Sequence, residues 1–451
     1  MLSNLLSHLV NFAWGLPLVL LLVGGGLGLA IHSRFLPLRG FSHAFRLITG
    51  RFKHDGDAKD AGQISSFQAL TTALSATVGL GNIAGVAIAI SQGGSGAIFW
   101  MWVSALVGMN TKFYECVLAV MHRGKDYRGQ VQGGAMYVIK QTFHKRLHFL
   151  AYLFAIFGML GTLPLFQINQ LSNFAEATYG LSPWIVGIVC ALLIAYVLSG
   201  GIQRLVKVTS SLVPFMCFFY VICALLIVFL NFERVPGVFA AIFREAFTGS
   251  AVFGGAIGIG FIEMMKLGVK RAAFSNEAGL GTAPMAHGNV KTSEPVSEGL
   301  VAMLGPFFDT IIICTLTALV ILTSFEPGTL NASSGLTLTM QAFEANLPGF
   351  GVHFLSVAAV LFSFTTMVGT ANYGEKCWNF LFRGRFIFTN STFIATYALM
   401  VFFGSIASAD DVINLIDTSY AFMAWPNMIM VLFLAGKAKK ALNEYYNKYS
   451  L

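Results

Sequence analysis

The feature that most limits what this chain can become is a recurrence. Runs of apolar residues lie at about 12–31, 67–91, 97–121, 148–178, 183–200, 208–230, 251–287, 296–323, 350–375, 387–405 and 412–434, eleven in all. Each approaches or exceeds the roughly 20 residues that a helix needs to cross the hydrocarbon core of a bilayer. Peptide groups left unpaired in hydrocarbon are strongly destabilising, so such a segment closes its hydrogen bonds on itself as a helix. The expected fold is an all-α polytopic membrane protein, with residues 1–451 forming one transmembrane domain. Composition agrees: 56% of residues are hydrophobic and 11% charged, which leaves no soluble domain for catalysis or nucleic-acid recognition.

The basic residues supply a topology. Segments 32–62 and 122–148 carry six Lys and Arg each, 200–207 two, 266–291 four, 376–385 three and 437–451 four, together 25 of the 28 in the chain. Basic loops stay on the cytoplasmic side, which predicts 11 transmembrane helices with the N-terminus outside and the C-terminus inside. The net charge of +8 then reflects membrane orientation, and no nucleic acid is expected as a partner. The first run, Phe12 to Ile31, has no Lys or Arg before it and several after it, which predicts a retained helix and not a cleaved signal. Residues 238–247 predict an interfacial helix on the outside. Cys116, Cys190, Cys217, Cys223, Cys314 and Cys377 lie in or beside apolar runs without C-x-x-C spacing, so they read as small packing residues.

Two runs are irregular. The first, 67–91, carries SATVGLGN at 75–82 near its centre; the second, 251–287, is too long for one straight crossing. It offers two candidate breaks, GGAIGIG at 254–260 and FSNEAGLG at 274–281. Weakly helical backbone at mid-depth persists only where protein or a polar cavity surrounds it, so both runs point to a binding site. A close-packing face of small residues is the alternative. With 12–31 set aside as an extra N-terminal helix, ten runs remain and the irregular ones are the first and sixth. That spacing predicts two inverted five-helix repeats, 63–230 and 251–434, the arrangement in which secondary transporters build a midplane site.

Four stretches carry a family likeness: GLGNIAGVA at 79–87, GGSGAIFWMWVSALVG at 93–108, KRAAFSNEAGLGTAPMAH at 270–287 and EPVSEGLVAMLGPFFDTIIICTLTALVIL at 294–322. From about Gln63 to Trp425 the chain resembles the alanine or glycine:cation symporter family, the sodium:alanine symporters. The resemblance implies a LeuT-like 5+5 fold and sodium-coupled import of small neutral amino acids by alternating access. It implies no cofactor, sodium being cargo.

The resemblance also assigns residues. Unwinding around Thr77 to Gly81 would turn the amides of Gly79, Leu80 and Gly81 toward a substrate carboxylate, and the carbonyls of Ser75 and Val78 toward sodium. Thr77 and Asn82 add side-chain oxygens. Thr365 and Thr366 stand where the family has a Ser-Thr pair and are expected to complete the sodium site; back-bonding to their own helix is the alternative. Gln167 and Asn169 fit the family's Q-x-N pattern on the helix lining the cavity, with Gln167 touching substrate or, alternatively, a neighbouring helix. Phe274, Ser275 and Asn276 are expected to hold the ammonium and side chain of the amino acid. Lys270 and Arg271 precede them so closely that the motif is alternatively a cytoplasmic gate. Glu263 and Glu277 are expected to pair with Lys266, Lys270 or Arg271, Glu263 with Lys266 above all, and Asp309 reads as a packing or gating residue.

Departures bear on substrate. Where the family reads G-W-S-Y-Y-G-E, this chain has GTANYGE at 369–375, so Thr370 and Asn372 replace aromatic residues; Pro164 replaces an asparagine. If Thr370 lines the cavity, the cavity widens toward serine or glutamine. The expected protein is a monomeric sodium symporter of small neutral amino acids in the inner membrane of a prokaryote. Its rival is a proton-coupled carrier of the same fold in which Glu263, Glu277 or Asp309 titrates. A channel would want rings of oxygen ligands. An enzyme would want a Ser-His or metal-spaced grouping, and only His287 lies near the motifs.

Overall fold

The computed structural model describes residues 2–52, 63–248, 260–325, 335–385 and 389–450. Apart from a two-residue hairpin pairing of Gly124–Lys125 with Val131–Gln132, the regular structure there is helical. In chain order the helices are α1 (Leu2–Ala13), α2 (Leu16–His32), α3 (Leu36–Ile48), α4 (Ser66–Thr77), α5 (Val86–Gly93), α6 (Gly96–Met121), α7 (Ala135–Thr142), α8 (Phe149–Gly161), α9 (Leu165–Tyr179), α10 (Pro183–Ser199) and α11 (Gly201–Leu230). They continue with α12 (Val235–Thr248), α13 (Phe261–Asn276), α14 (Ala283–His287), α15 (Pro295–Ala302) and the single turn α16 (Leu304–Pro306). A π-helical stretch, Phe307–Cys314, leads into α17 (Thr315–Ser324), α18 (Leu336–Asn346), α19 (Gly351–Phe382), α20 (Asn390–Ile406) and α21 (Ala409–Tyr449).

Local chemistry sets several ends. Pro17 and Pro183 sit in the first turns of α2 and α10, where a missing N–H costs nothing. Ser65 and Gln68 form a reciprocal capping box at the start of α4, with Ser65 N–H donating to Gln68 Oε1 at 2.9 Å. Each apolar run falls on one or more helices; residues 251–259 of the seventh, with most of GGAIGIG, lie outside the described residues. Among the described residues six helical stretches are long and apolar enough to cross a membrane, seven with the bent pair α4 and α5, against the eleven expected.

The core is built around α6, flanked by α2, α12, α13 and α15, while α8 packs on α21 and α10 on α20. The expected interfacial segment 238–247 is α12, whose Val238, Ala241, Ile242 and Glu245 are buried. Glu245 fixes the start of α6, accepting from the hydroxyl of Ser95 at 2.6 Å and its amide at 3.1 Å. All six cysteines are free.

One helix measures the bundle. Near the start of α21, Asp417 meets Lys270, Arg271 and Trp14; near its end, Lys448 pairs with Glu294. Thirty-one residues of helix separate these points by roughly 45 Å. Lys270 and Arg271 therefore lie at the end opposite the one with 287–294, 122–148 and 437–450. The sequence reading of 266–291 as one basic loop is corrected: only Lys291 sits at the basic end, where its amide meets Ile64. Both cations of the broken helix face Asp417, whose single carboxylate pairs with each and offsets one of the two charges.

Candidate functional site

The first irregular run breaks where SATVGLGN stands. α4 ends at Thr77, Val78 is extended (φ −77°, ψ 91°), and a π-helical turn Gly81–Gly85 restarts the helix after a 51° bend. The break releases peptide groups that must be satisfied inside protein. Gly79 N–H turns to Asn82 Oδ1 at 2.8 Å and Leu80 N–H to Gln167 Oε1 at 3.2 Å, which deprives the carbonyls of Ser75 and Ala76 of their helical partners. The expected open row of amides is corrected to this extent: side-chain oxygens hold two of them, because buried N–H groups take the nearest acceptor.

α19 closes on this break. A Cβ on Gly79 would lie 2.1 Å from Thr366 Oγ1, and one on Gly369 would lie 2.4 Å from Ser75 Oγ and 2.6 Å from Ala76 N. Glycine at both positions permits the approach. Thr366 donates to Val78 O at 3.5 Å. Thr365, one residue earlier and about 100° around the helix, instead faces α11, with Met216 Sδ at 3.3 Å, and back-bonds to Leu361 O at 2.8 Å. Ser75 Oγ likewise back-bonds to Thr72 O at 2.7 Å. Both threonines are buried, not turned to lipid.

The second irregular run breaks at FSNEAGLG; its other candidate, GGAIGIG, lies outside the described residues except for Gly260. α13 runs through Phe274, Ser275 and Asn276; Glu277 then takes φ +57°, Gly279 +86° and Gly281 +80°, and α14 resumes at Ala283. Left-handed backbone at a glutamate is unfavourable by about 1–2 kcal/mol, and here it is held by its surroundings. Asn276 Oδ1 caps Ala278 N–H at 2.9 Å, Thr282 Oγ1 donates to Glu277 at 2.5 Å, and Asn427 Nδ2 donates to Gly279 O at 2.9 Å and to Glu115 at 2.5 Å. Glu277 does not pair with Lys270 or Arg271; Asp417 does. Glu263 and Lys266 pair at 2.6 Å on an exposed surface, as expected.

Asp309 joins the two breaks. Its carboxylate, fully buried in the π-helical stretch, accepts from Asn82 Nδ2 at 2.6 Å, Ser275 Oγ at 2.8 Å and Thr310 Oγ1 at 2.7 Å. Asn276 Nδ2 donates to the same Thr310 at 2.9 Å. No ion pair to this carboxylate exists among the described residues; neutral donors hold it, and the buried Lys112 acts on it only at longer range. Sequence reasoning underweighted Asp309 because its partners are brought together only by the two breaks.

Beside this network Thr77, Gly81, Gln167, Phe274, Thr366 and Thr370 line a cavity of about 20 Å³, room for a single water molecule. Asn82, Ser275 and Asn276 lie behind it, engaged with Asp309 and Thr310. Asn169 is not at the cavity: it donates to Gly404 O at 3.2 Å and Ala407 O at 2.8 Å, tying α9 to α20. Thr370 does line it, but its hydroxyl is spent on Thr366 O at 2.8 Å and Tyr397 OH at 2.9 Å.

A larger space of about 380 Å³ lies at the Asp417 end. Gln170, Arg271 and Asp417 line it, while Gln167, Phe274 and Tyr420, each three residues away on the same three helices, line the small cavity. One helical turn, about 5 Å, thus separates the two. The partition is the Arg271–Asp417 pair, Lys270 at 3.3 Å from Asp417, and the Phe274 ring packed 4.7 Å from Phe166 and 5.7 Å from Tyr420. The motif therefore lies toward the end opposite the basic loops. Asp417 and Tyr420 were missed, although Asp417 is the only acid in the run 412–434 and a lone intramembrane acid is a signal for function.

Comparison with known proteins agrees with this geometry. Residues 1–450 match the profile of the sodium:alanine symporter family. The sodium/alanine symporter AgcS of Methanococcus maripaludis is 39% identical over 453 residues, covering 98% of this chain and 97% of its own. The probable sodium/glutamine symporter GlnT of Bacillus subtilis is 33% identical, covering 98% and 91%. In architecture the chain is similar to MhsT, crystallised with L-phenylalanine, at TM-score 0.59 and 13% identity over 83% of this chain and 90% of that one, which establishes a LeuT-like fold.

Proposed function

The chain belongs to the sodium:alanine symporter family, and from that premise we propose that it is a sodium-coupled symporter of small neutral amino acids, working by alternating access in the inner membrane of a prokaryote. The N-terminus lies outside, the basic end inside, and residues 63–230 and 251–434 act as the two inverted repeats. The observation that carries the reading is the convergence of both helix breaks on one buried carboxylate, Asp309, beside a cavity that a single helical turn separates from a vestibule.

Binding substrate is an exchange of partners. The amino-acid carboxylate takes the amides of Gly79 and Leu80 from Asn82 and Gln167, while the ammonium meets the carbonyls at the C-terminal end of α13, Phe274 to Asn276, where the helix dipole is negative. The cavity must open to admit even alanine, which has six heavy atoms against one for water. Swinging Phe274 with the Arg271–Asp417 pair connects it to the vestibule. Sodium has two sets of hard oxygens to choose from. One is Asp309 with Asn82 and Ser275; the other is Thr366 with the carbonyls of Ser75 and Val78, Thr365 taking part only if it turns from Met216. An ion between α4 and α19 favours the arrangement in which they touch, and by linkage sodium and amino acid then raise each other's affinity.

Alanine, glycine and serine suit a cavity that the rings of Phe166, Phe274 and Tyr420 keep narrow. Glutamine, named in one relative, requires those rings to move further, with Thr370 in place of an aromatic residue leaving room. The test is uptake of labelled alanine, glycine, serine and glutamine into proteoliposomes with sodium outside, against potassium or lithium. Equal uptake in all three salts sinks sodium coupling. The proton-coupled reading is favoured by one observation: Asp309 and Glu277 are buried with only neutral donors bound. Glu263, exposed and paired with Lys266, leaves that reading. Uptake driven by a pH gradient without sodium would establish it.

A further inference from the structure

At the basic end, away from the transport site, the elbow between α2 and α3 and the last turns of α21 enclose a pocket of about 390 Å³. Three cations line it, Arg34, Arg39 and Lys439, and no acidic residue does. None of the three ion-pairs or hydrogen-bonds through its side chain with another described residue. The elbow is made by left-handed backbone at Arg34 and Phe35 (φ +56° and +53°), which turns the chain so that Arg34 and Arg39 share one space. Lys439 is half-buried there, whereas Lys437 and Lys440 on the same helix are exposed. The Tyr446 hydroxyl, buried in the pocket wall, has no hydrogen-bond partner among the described residues. His32 and Ser33, by contrast, are already engaged, with Tyr114 at 3.0 Å and Asn110 at 2.9 Å.

The pocket's depth follows from the sequence. The apolar run of α2 ends at Ile31 and that of α21 at Leu434, and the lining residues come soon after both, at the level where hydrocarbon gives way to polar headgroups. Above it, Leu27, Ile31, Phe35 and Leu38 present exposed apolar side chains, Leu38 at 83%. Cationic donors without counter-ions, a free hydroxyl and an adjoining apolar surface together match one molecule, a phosphodiester headgroup with its acyl chains. Basic pockets between membrane helices on the cytoplasmic side recognise such headgroups.

We propose that this pocket binds the phosphate of an anionic phospholipid, held by Arg34, Arg39, Lys439 and Tyr446, with the acyl chains lying along α2. The site is built partly from the N-terminal helix outside the two repeats and does not depend on the transport reading.

The test is native mass spectrometry of the purified full-length protein titrated with phosphatidylglycerol, phosphatidylcholine or inorganic phosphate. Wild type is expected to retain phosphatidylglycerol at least about tenfold more tightly than phosphatidylcholine, each basic residue near the surface contributing to the difference. A combined Arg34→Gln, Arg39→Gln, Lys439→Gln variant is expected to lose that preference, and a Lys437→Gln, Lys440→Gln variant to keep it. Equal retention of both lipids by wild type, or an unchanged preference in the triple variant, overturns the proposal. Inorganic phosphate displacing the lipid at equal concentration would also overturn it, by assigning the pocket to a free anion. If the triple variant does not fold, Arg39→Gln alone carries the same comparison at a severalfold loss.

Discussion

The two broken helices solve the same problem differently. The first interrupts three residues, Val78 to Leu80, restarts through a π-turn, and leans on α19 through glycines that leave no room for a Cβ. The second opens six, Glu277 to Thr282, through three positive-φ residues, and is braced by side chains of α6 and α21. The first has its released amides held by exchangeable side-chain oxygens; the second has its loop held by Asn276, Asn427 and Thr282. A tight break with replaceable partners suits a place where ligands come and go. A long braced break suits a pivot. Asp309 belongs to both, which is why it is the residue on which the comparison is most exposed to test.

The largest expected effect is therefore at Asp309. Asp309→Asn keeps one acceptor oxygen, for Asn82 or for Ser275 but not both, and removes the charge, and sodium-driven uptake is expected to fall by about 100-fold, the value of a charged hydrogen bond or two; activity near wild type would detach the carboxylate from both breaks. Next, Gly281→Ala places a side chain at φ +80° with its Cβ 2.5 Å from Asn427 Oδ1, and is expected to lower folding stability by about 2 kcal/mol in thermal melts in detergent. Gly79→Ala, at a residue without left-handed φ, should lower stability less and lose transport, since its Cβ would press Thr366 away from Val78; matching melts for both would erase the contrast between pivot and binding break. Thr366→Val is expected to raise the sodium concentration for half-maximal uptake about tenfold, and Thr365→Val much less, because only Thr366 faces Val78. Equal effects would put both threonines on the ion.

The smallest effect concerns α18, which leans on the first break through Thr339 Oγ1 donating to Ile83 O at 3.3 Å. Glu344 anchors this helix by accepting from Gly349 N–H at 2.6 Å and Val352 N–H at 2.9 Å, and these bonds lower its pKa from the ordinary carboxylate value. A group whose folded-state pKa is lowered stabilises the fold above its unfolded value and loses that contribution as pH falls through the folded one. Glu344→Gln should therefore protect α18 amides less than wild type at neutral pH, measured by hydrogen exchange, and the difference should vanish in acid.

Much of this was legible in one dimension. Apolar length gave the helices, SATVGLGN the first break and FSNEAGLG one of two candidates for the second, while GTANYGE raised Thr370 as a cavity residue only conditionally. The neighbours Thr365 and Thr366 read alike in sequence, yet one helical step sends them to different helices. Asn169 looked like a partner of Gln167 and proved to be a tie to α20. Lys270 and Arg271 read as a loop because their counter-charge, Asp417, is almost 150 positions away in the chain.

Sequence by itself determined that this chain spans a membrane as helices, and where two of those helices must fail. The reason is local: hydrocarbon forces every peptide group to pair within its own segment, and glycine, threonine and asparagine mark where that pairing is given up. Which groups then satisfy the released ones was decided only by the fold, because Asp309 with Asn82 and Ser275, Arg271 with Asp417, and Asn427 with Gly279 are pairings between distant segments, set by how helices pack and not by any period along the chain.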